Sequence, residues 1–185
     1  MYLPINIGDG NTSFFHTCES HTDAWYQATK KDMNIEIKKL SHHDIDKFVE
    51  LIRLFEDVFE MKNFEMPDEI YLQKLLEEHS FFVFVAMIQG QVVGGLTAYT
   101  LRQYYSKSPL VYIYDLAVKT EFQRQGIGKM LISGIKNYCK GIGIEEVFVQ
   151  ADEVDDFALK FYHSTGATAE KVVQFNYPLT LNNPG

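Results

Sequence analysis

An aspartate stands inside a stretch that otherwise has the composition of a buried strand. Asp115 interrupts residues 111–118, whose other side chains are apolar or aromatic on both alternating faces. Burial disfavours the charged form of a carboxylate and so raises its proton affinity. Asp115 is therefore a candidate general base, and a structural carboxylate paired with a neighbour is the competing interpretation.

A turn that contains glycines follows this strand and opens a helix. Gly126 and Gly128 precede an apolar repeat at helical spacing that includes Ile127 and Leu131. A helix start offers free N–H donors and a positive dipole end, and glycine lets a phosphate approach the backbone closely. The segment predicts an anion site, with a capped helix packed tightly on its sheet as the alternative.

Hydrophobic periodicity predicts the elements that position these residues. Helices are expected to begin near Ser41, Pro67, Ile127 and Phe157. An antiparallel hairpin is expected at Gln89-Gly90. The predicted strands are residues 34–37, 81–88, 91–101, 111–118, 146–150 and 172–177.

Length and composition favour one domain. The chain has 185 residues, of which 46% are hydrophobic, enough for a single well-buried core. Residues 1–32 lack strand or helix periodicity and are expected to form a weakly ordered extension before a domain at 33–185. The longest apolar run, residues 81–88, is far shorter than the roughly 20 residues of a membrane helix. With no signal pattern at the start, a cytoplasmic protein without a membrane partner is expected.

The charge and the cysteines limit the classes of partner. A net charge of −8 disfavours nucleic acid and favours a small cationic molecule. Cys18 and Cys139 have no zinc-ligand spacing, and the six histidines are scattered, so no metal is predicted. Cys139 has no base beside it, so the sequence predicts direct transfer without a covalent enzyme intermediate.

The glycine turn carries a family resemblance. Gln123-x-x-Gly126-x-Gly128, after a strand that ends Leu116-Ala117-Val118, resembles the acetyl-CoA pyrophosphate loop of the GNAT acetyltransferases. No Gly-Lys-Ser/Thr follows, so a P-loop is not indicated. The resemblance implies acetyl-CoA as co-substrate and an α/β (α+β) fold. That fold is a mixed, twisted sheet of about six or seven strands with helices on both faces.

A second block resembles the same family. Asp155 is followed by Ala158, Tyr162 and Gly166 at the family spacing, although asparagine is common where Asp155 stands and phenylalanine where Ala167 stands. In that family the tyrosine that matches Tyr162 lies near the CoA sulfur and can protonate the departing thiolate. A core tyrosine on an amphipathic helix is the competing interpretation.

Two segments carry a more specific resemblance, to one group within this family. They are residues 112–118 and residues 149–152 with the acidic residues that follow. These segments look like the aminoglycoside 3-N-acetyltransferases, and the similarity runs from about residue 33 to 177. It implies acetylation of the 3-amino group of the deoxystreptamine ring in antibiotics such as gentamicin. The acids near residue 155 also suit a polycation, although such runs often lie at solvated helix starts.

The predicted site has four parts. Asp115 would be the general base and Tyr162 the acid. The residues expected to contact an aminoglycoside are Tyr114, Asp152, Glu153 and Asp156. The residues expected to hold acetyl-CoA are Leu116, Ala117, Val118, Gln123, Arg124, Gln125, Gly126, Ile127, Gly128, Lys129, Asp155 and Ala158.

Three other functions fit the same cofactor site. They are acetylation of a polyamine, acetylation of a protein amine, and a regulatory module that binds acyl-CoA without turnover. The presence of both Asp115 and Tyr162 favours an enzyme over the regulatory module. Related enzymes often pair through sheet edges or C-terminal strands, so a homodimer is expected.

Overall fold

Five strands and four helices form the described part of the chain, residues 34–179 of a computed structural model. The predicted extension at 1–32 lies outside the described residues. The strands are β1 (Ile35–Lys39), β2 (Phe81–Ile88), β3 (Gln91–Leu101), β4 (Leu110–Val118) and β5 (Glu146–Val149). The helices are α1 (Ile45–Val58), α2 (Glu69–Glu77), α3 (Ile127–Gly141) and α4 (Asp156–Ser164). A 3₁₀ turn, Thr120–Phe122, lies between β4 and α3.

The strands form one mixed sheet in the order β1-β2-β3-β4-β5. The first three pairings are antiparallel, and β4 pairs with β5 in parallel. The parallel pair requires a crossover, which α3 supplies. This topology brings the end of β4 and the start of α3 together.

Two apolar clusters lie on opposite faces of the sheet. On one face, Phe82, Phe84 and Leu96 pack with the buried side of α3 and with Ala158 of α4. On the other face, Phe81, Val83 and Val85 pack with the buried side of α1. Residues of β2 therefore alternate between two cores, which explains why its apolar run is uninterrupted.

The sheet contains a tight hairpin turn and a β-bulge. Gln89 and Gly90 both have positive φ, 51° and 79°, as the predicted tight hairpin requires. The β3–β4 ladder is regular up to Thr97, which pairs with Asp115, and then shifts so that Ala98 pairs with Ile113. This bulge leaves Tyr114 as the extra residue.

The predicted sheet of six or seven strands is wrong, because the described residues form five. The strand predicted at 172–177 does not form: Val172, Phe175 and Tyr177 are 71 to 84% exposed, without strand pairing. Its composition favours a strand, but a strand is stabilised only when it pairs and packs. The mixed sheet and the helices on both faces are confirmed.

Candidate active site

A cavity of about 660 Å³ opens where β4 ends and α3 begins. Most of the predicted cofactor residues line it, from Leu116 to Val118 on β4 and from Gln123 to Lys129 on the turn and helix. Gln125 is the exception in that turn, since its side chain bonds the Glu121 carbonyl instead. The sequence did not point to the remaining lining residues. These are Phe122 of the 3₁₀ turn and, on the opposite wall formed by α4, Phe157, Lys160, Phe161 and Ser164.

The turn before α3 has the shape of an anion site. Arg124 and Gly126 have φ of 61° and 89°, and no side chain caps the helix start. The first helical bond runs from Met130 N–H to the Gly126 carbonyl, so the amides before it have no acceptor one turn back. A Cβ at Gly126 would meet no protein atom within 4 Å, which leaves that space to a ligand.

The second glycine has a packing role instead. A Cβ at Gly128 would lie 2.9 Å from the Phe161 ring, so its missing side chain lets α4 approach α3. The predicted opening for a phosphate therefore belongs to Gly126, while Gly128 sets the width of the cavity.

Asp115 stands next to the cavity, one residue before Leu116. Its Oδ2 accepts a hydrogen bond of 3.0 Å from the hydroxyl of Thr97, which is itself buried. Burial raises the pKa of the Asp115 carboxyl, and the bond from Thr97 partly opposes this shift. The carboxyl is thus more basic than an ordinary aspartate, as a proton acceptor near neutral pH requires.

Tyr162 is a buried phenol on α4 whose hydroxyl has no hydrogen-bond partner in the structure. Only 7% of the residue is exposed. Burial is the main cause that raises its pKa, and the nearby Asp155 and Tyr112 add to the shift. The hydroxyl is therefore protonated at neutral pH and available as a donor.

Two predicted cofactor residues have structural roles. Asp155 Oδ1 caps α4 by accepting bonds from the amides of Phe157 and Ala158, at 3.1 and 2.9 Å. Ala158 is fully buried in the core. Neither lines the cavity, so the family contact made from this position has no counterpart in the cavity wall.

The other acids lie on the surface around the start of α4. Asp152, Glu153 and Asp156 are exposed. Asp152 accepts a bond from the Val154 amide, and Asp156 lies 3.4 Å from Lys160 of its own helix. They form an exposed acidic patch, and none of them lines the cavity.

Cys139 is buried in the α3 core, and burial raises the pKa of its thiol to about 11. A thiol of this kind is a poor nucleophile at neutral pH. Within residues 34–179, no three His, Cys, Asp or Glu side chains cluster as metal ligands. Every helix described there is too short or too polar to cross a bilayer.

The sequence resembles several solved acetyltransferases. An aminoglycoside acetyltransferase from an uncultured soil metagenomic sample, in complex with trehalose, is 57% identical, with a TM-score of 0.77. That match covers 79% of this chain and 97% of the other. An aminoglycoside acetyltransferase from an uncultured soil metagenomic sample, in complex with sisomicin, is 56% identical, with a TM-score of 0.77. That match also covers 79% of this chain and 97% of the other.

A curated relative is more distant. N-alpha-acetyltransferase 60 of Xenopus tropicalis is 25% identical over 145 residues, which is 69% of this chain and 57% of that protein. The chain spans about half the length of the curated relatives it matches, between 40 and 57%.

The family is shown by a match that spans most of the domain. Residues 48–167 match the acetyltransferase (GNAT) family, from α1 through α4. The chain therefore belongs to the GNAT acetyltransferase family.

We expect Gly126→Val to weaken acetyl-CoA binding at least tenfold. A non-glycine residue in the left-handed region costs about 1–2 kcal/mol, and a branched side chain would also occupy the open space. Arg124→Ala should weaken binding less than about fivefold, because arginine and alanine have the same preference for backbone conformation and only the side-chain charge is lost. Calorimetric titration of both folded variants measures the difference, and an equal loss would contradict the role of the backbone.

We expect Asp115→Asn to be more stable than the parent at neutral pH. Because the pKa of Asp115 is raised in the folded chain, the unfolded chain releases its proton first as pH rises. The parent therefore loses stability above the ordinary aspartate pKa, and asparagine removes that loss.

Thermal denaturation between about pH 4.5 and pH 8 measures this difference. It should grow with pH, whereas Glu36→Gln, at an exposed residue of the far edge strand β1, should show no such trend. A variant less stable than the parent at the upper end would contradict the raised pKa.

Proposed function

We propose that the protein transfers the acetyl group of acetyl-CoA to an amine of an aminoglycoside, at the 3-amino group of the 2-deoxystreptamine ring, and so confers resistance. The observation that carries this is Asp115, a half-buried carboxyl of raised pKa directly beside a cavity with an open helix start. The 57% identity to an aminoglycoside acetyltransferase supports the acceptor class. The resemblance at residues 112–118 and 149–152 supports the position of transfer.

The cavity fits a long anionic thioester. Its volume lies within the range of about 300–1,000 Å³ that is usual for small-molecule sites. The uncapped start of α3 and the positive charges of Arg124, Lys129 and Lys160 suit a pyrophosphate. The end of β4, Leu116 to Val118, would hold the pantetheine arm. When bound, acetyl-CoA supplies the activated acetyl group.

The acceptor amine must lose a proton before it attacks, because an ammonium has no lone pair. Asp115 would take that proton, directly or through one water. As the new C–N bond forms, the C–S bond breaks, and the Tyr162 hydroxyl would protonate the departing sulfur. The nitrogen of the new amide loses its remaining extra proton to solvent. Asp115 then releases the proton that it took, and Tyr162 regains its own, both by exchange with solvent, so the enzyme ends the cycle unchanged.

Acetylation of a protein N-terminus is the second candidate. The 25% identity to N-alpha-acetyltransferase 60 favours it, since the name of that enzyme describes acetylation of an N-terminal amine. The two candidates share the cofactor cavity and differ only in the acceptor, so acceptor competition separates them.

We expect thiol release from acetyl-CoA in the presence of gentamicin, and a loss of about 10²- to 10⁴-fold in kcat for Asp115→Asn. The alternative acceptors, tested in parallel, are spermidine, a lysine peptide and a peptide with a free N-terminus. Glu36→Gln is the control variant. NMR of the product identifies the acetylated nitrogen. Turnover with a peptide alone would show that the acceptor is a peptide amine and not an aminoglycoside. Undiminished turnover by Asp115→Asn would show that Asp115 is not the base.

A further inference from the structure

Four aromatic rings run in a continuous row across the face of the sheet opposite α3. We call Tyr99, Tyr112, Tyr114 and Phe148 the aromatic row. In this row, Tyr99 and Tyr114 lie 5.8 Å apart between ring centroids, Tyr112 and Tyr114 5.9 Å, and Tyr112 and Phe148 5.1 Å. Each neighbouring pair is thus in ring contact, from β3 across β4 to β5.

Strand register explains why these rings meet. Tyr99 pairs with Tyr112, and Tyr112 pairs with Phe148, so one level of the sheet carries an aromatic residue on three adjacent strands. The neighbours of Tyr112, Val111 and Ile113, point into the α3 core. The ring of Tyr112 therefore lies on the other face.

The bulge in β4 joins this row to Asp115. Because Tyr114 is the extra residue, its ring meets both Tyr99 and Tyr112 while the next residue, Asp115, still meets Thr97. Tyr114 is 59% exposed, so a ligand can reach its ring. A carboxyl and an accessible aromatic ring thus belong to consecutive residues where the row crosses β4.

We propose that the aromatic row is the platform for the acceptor and that it selects amines carried on saturated rings over linear amines, which rests on the proposed function. The negative faces of aromatic rings attract ammonium groups and pack against the C–H faces of saturated rings. The carboxyl of Asp115 and the net charge of the whole chain, −8, complement a polycation. A linear polyamine or an extended peptide would cover less of the row.

The test compares Tyr114→Leu with Tyr114→Phe, which keeps the ring. Tyr114→Leu should raise KM for sisomicin about 3- to 30-fold with little change in kcat, and change KM for spermidine less than about twofold. Tyr114→Phe should stay within about threefold of the parent. Tyr105→Leu, at a 73% exposed tyrosine of the β3–β4 loop outside the row, should match the parent.

Calorimetric titration of sisomicin into the CoA-bound enzyme gives a second readout without turnover. Equal KM values for Tyr114→Leu and Tyr105→Leu, or equal losses for both amines, would overturn the platform while leaving the proposed function intact. If the parent enzyme acetylates only linear amines, the proposed function fails, and the platform fails with it.

Discussion

The hydrogen bond between Thr97 and Asp115 is the constraint on which the site depends. It spans β3 and β4 at the point where their ladder slips by one residue. A buried carboxyl is costly unless a partner satisfies it, and this hydroxyl is the partner that the structure provides. The bond therefore stabilises a carboxyl of raised pKa one residue before the cavity wall begins at Leu116, where the proposed reaction requires a proton acceptor.

The same slip arranges the rest of the proposed acceptor face. It adds Tyr114 to β4, places its ring beside Tyr99, and leaves Leu116 to Val118 buried at the cavity wall. The bulged strand thus carries the proposed base, the proposed acceptor surface and part of the proposed cofactor wall. The opposite wall depends on α4, whose start is capped by Asp155 and whose approach to α3 depends on Gly128.

Much of this arrangement was predictable from local pattern. Asp115 is conspicuous as a charge in an apolar strand, and Gly126 stands where strand periodicity gives way to helical periodicity. Helical spacing and helix-start residues also predicted the four helices of residues 34–179, and Gln89-Gly90 predicted the hairpin. These features depend on residues that are neighbours in sequence, so they can be predicted from the sequence alone.

The remainder depends on contacts between distant segments. Thr97 has no sequence signal as the partner of Asp115, because strand register and the bulge decide that contact. Phe148 joins Tyr112 only through the parallel β4–β5 pairing, and Phe161 becomes cavity wall only when α4 packs on α3. The strand expected at 172–177 fails for the related reason that propensity does not supply a pairing partner.

The pH dependence of kcat/KM for sisomicin in Thr97→Val tests the central claim, that Thr97 tunes Asp115 as the base. Removing the hydroxyl removes the bond that lowers the pKa of Asp115, so the rising limb of the profile should move to higher pH while the plateau is largely retained. A limb that stays in place, or moves to lower pH, in a folded and active variant would contradict Asp115 as the group that accepts the proton.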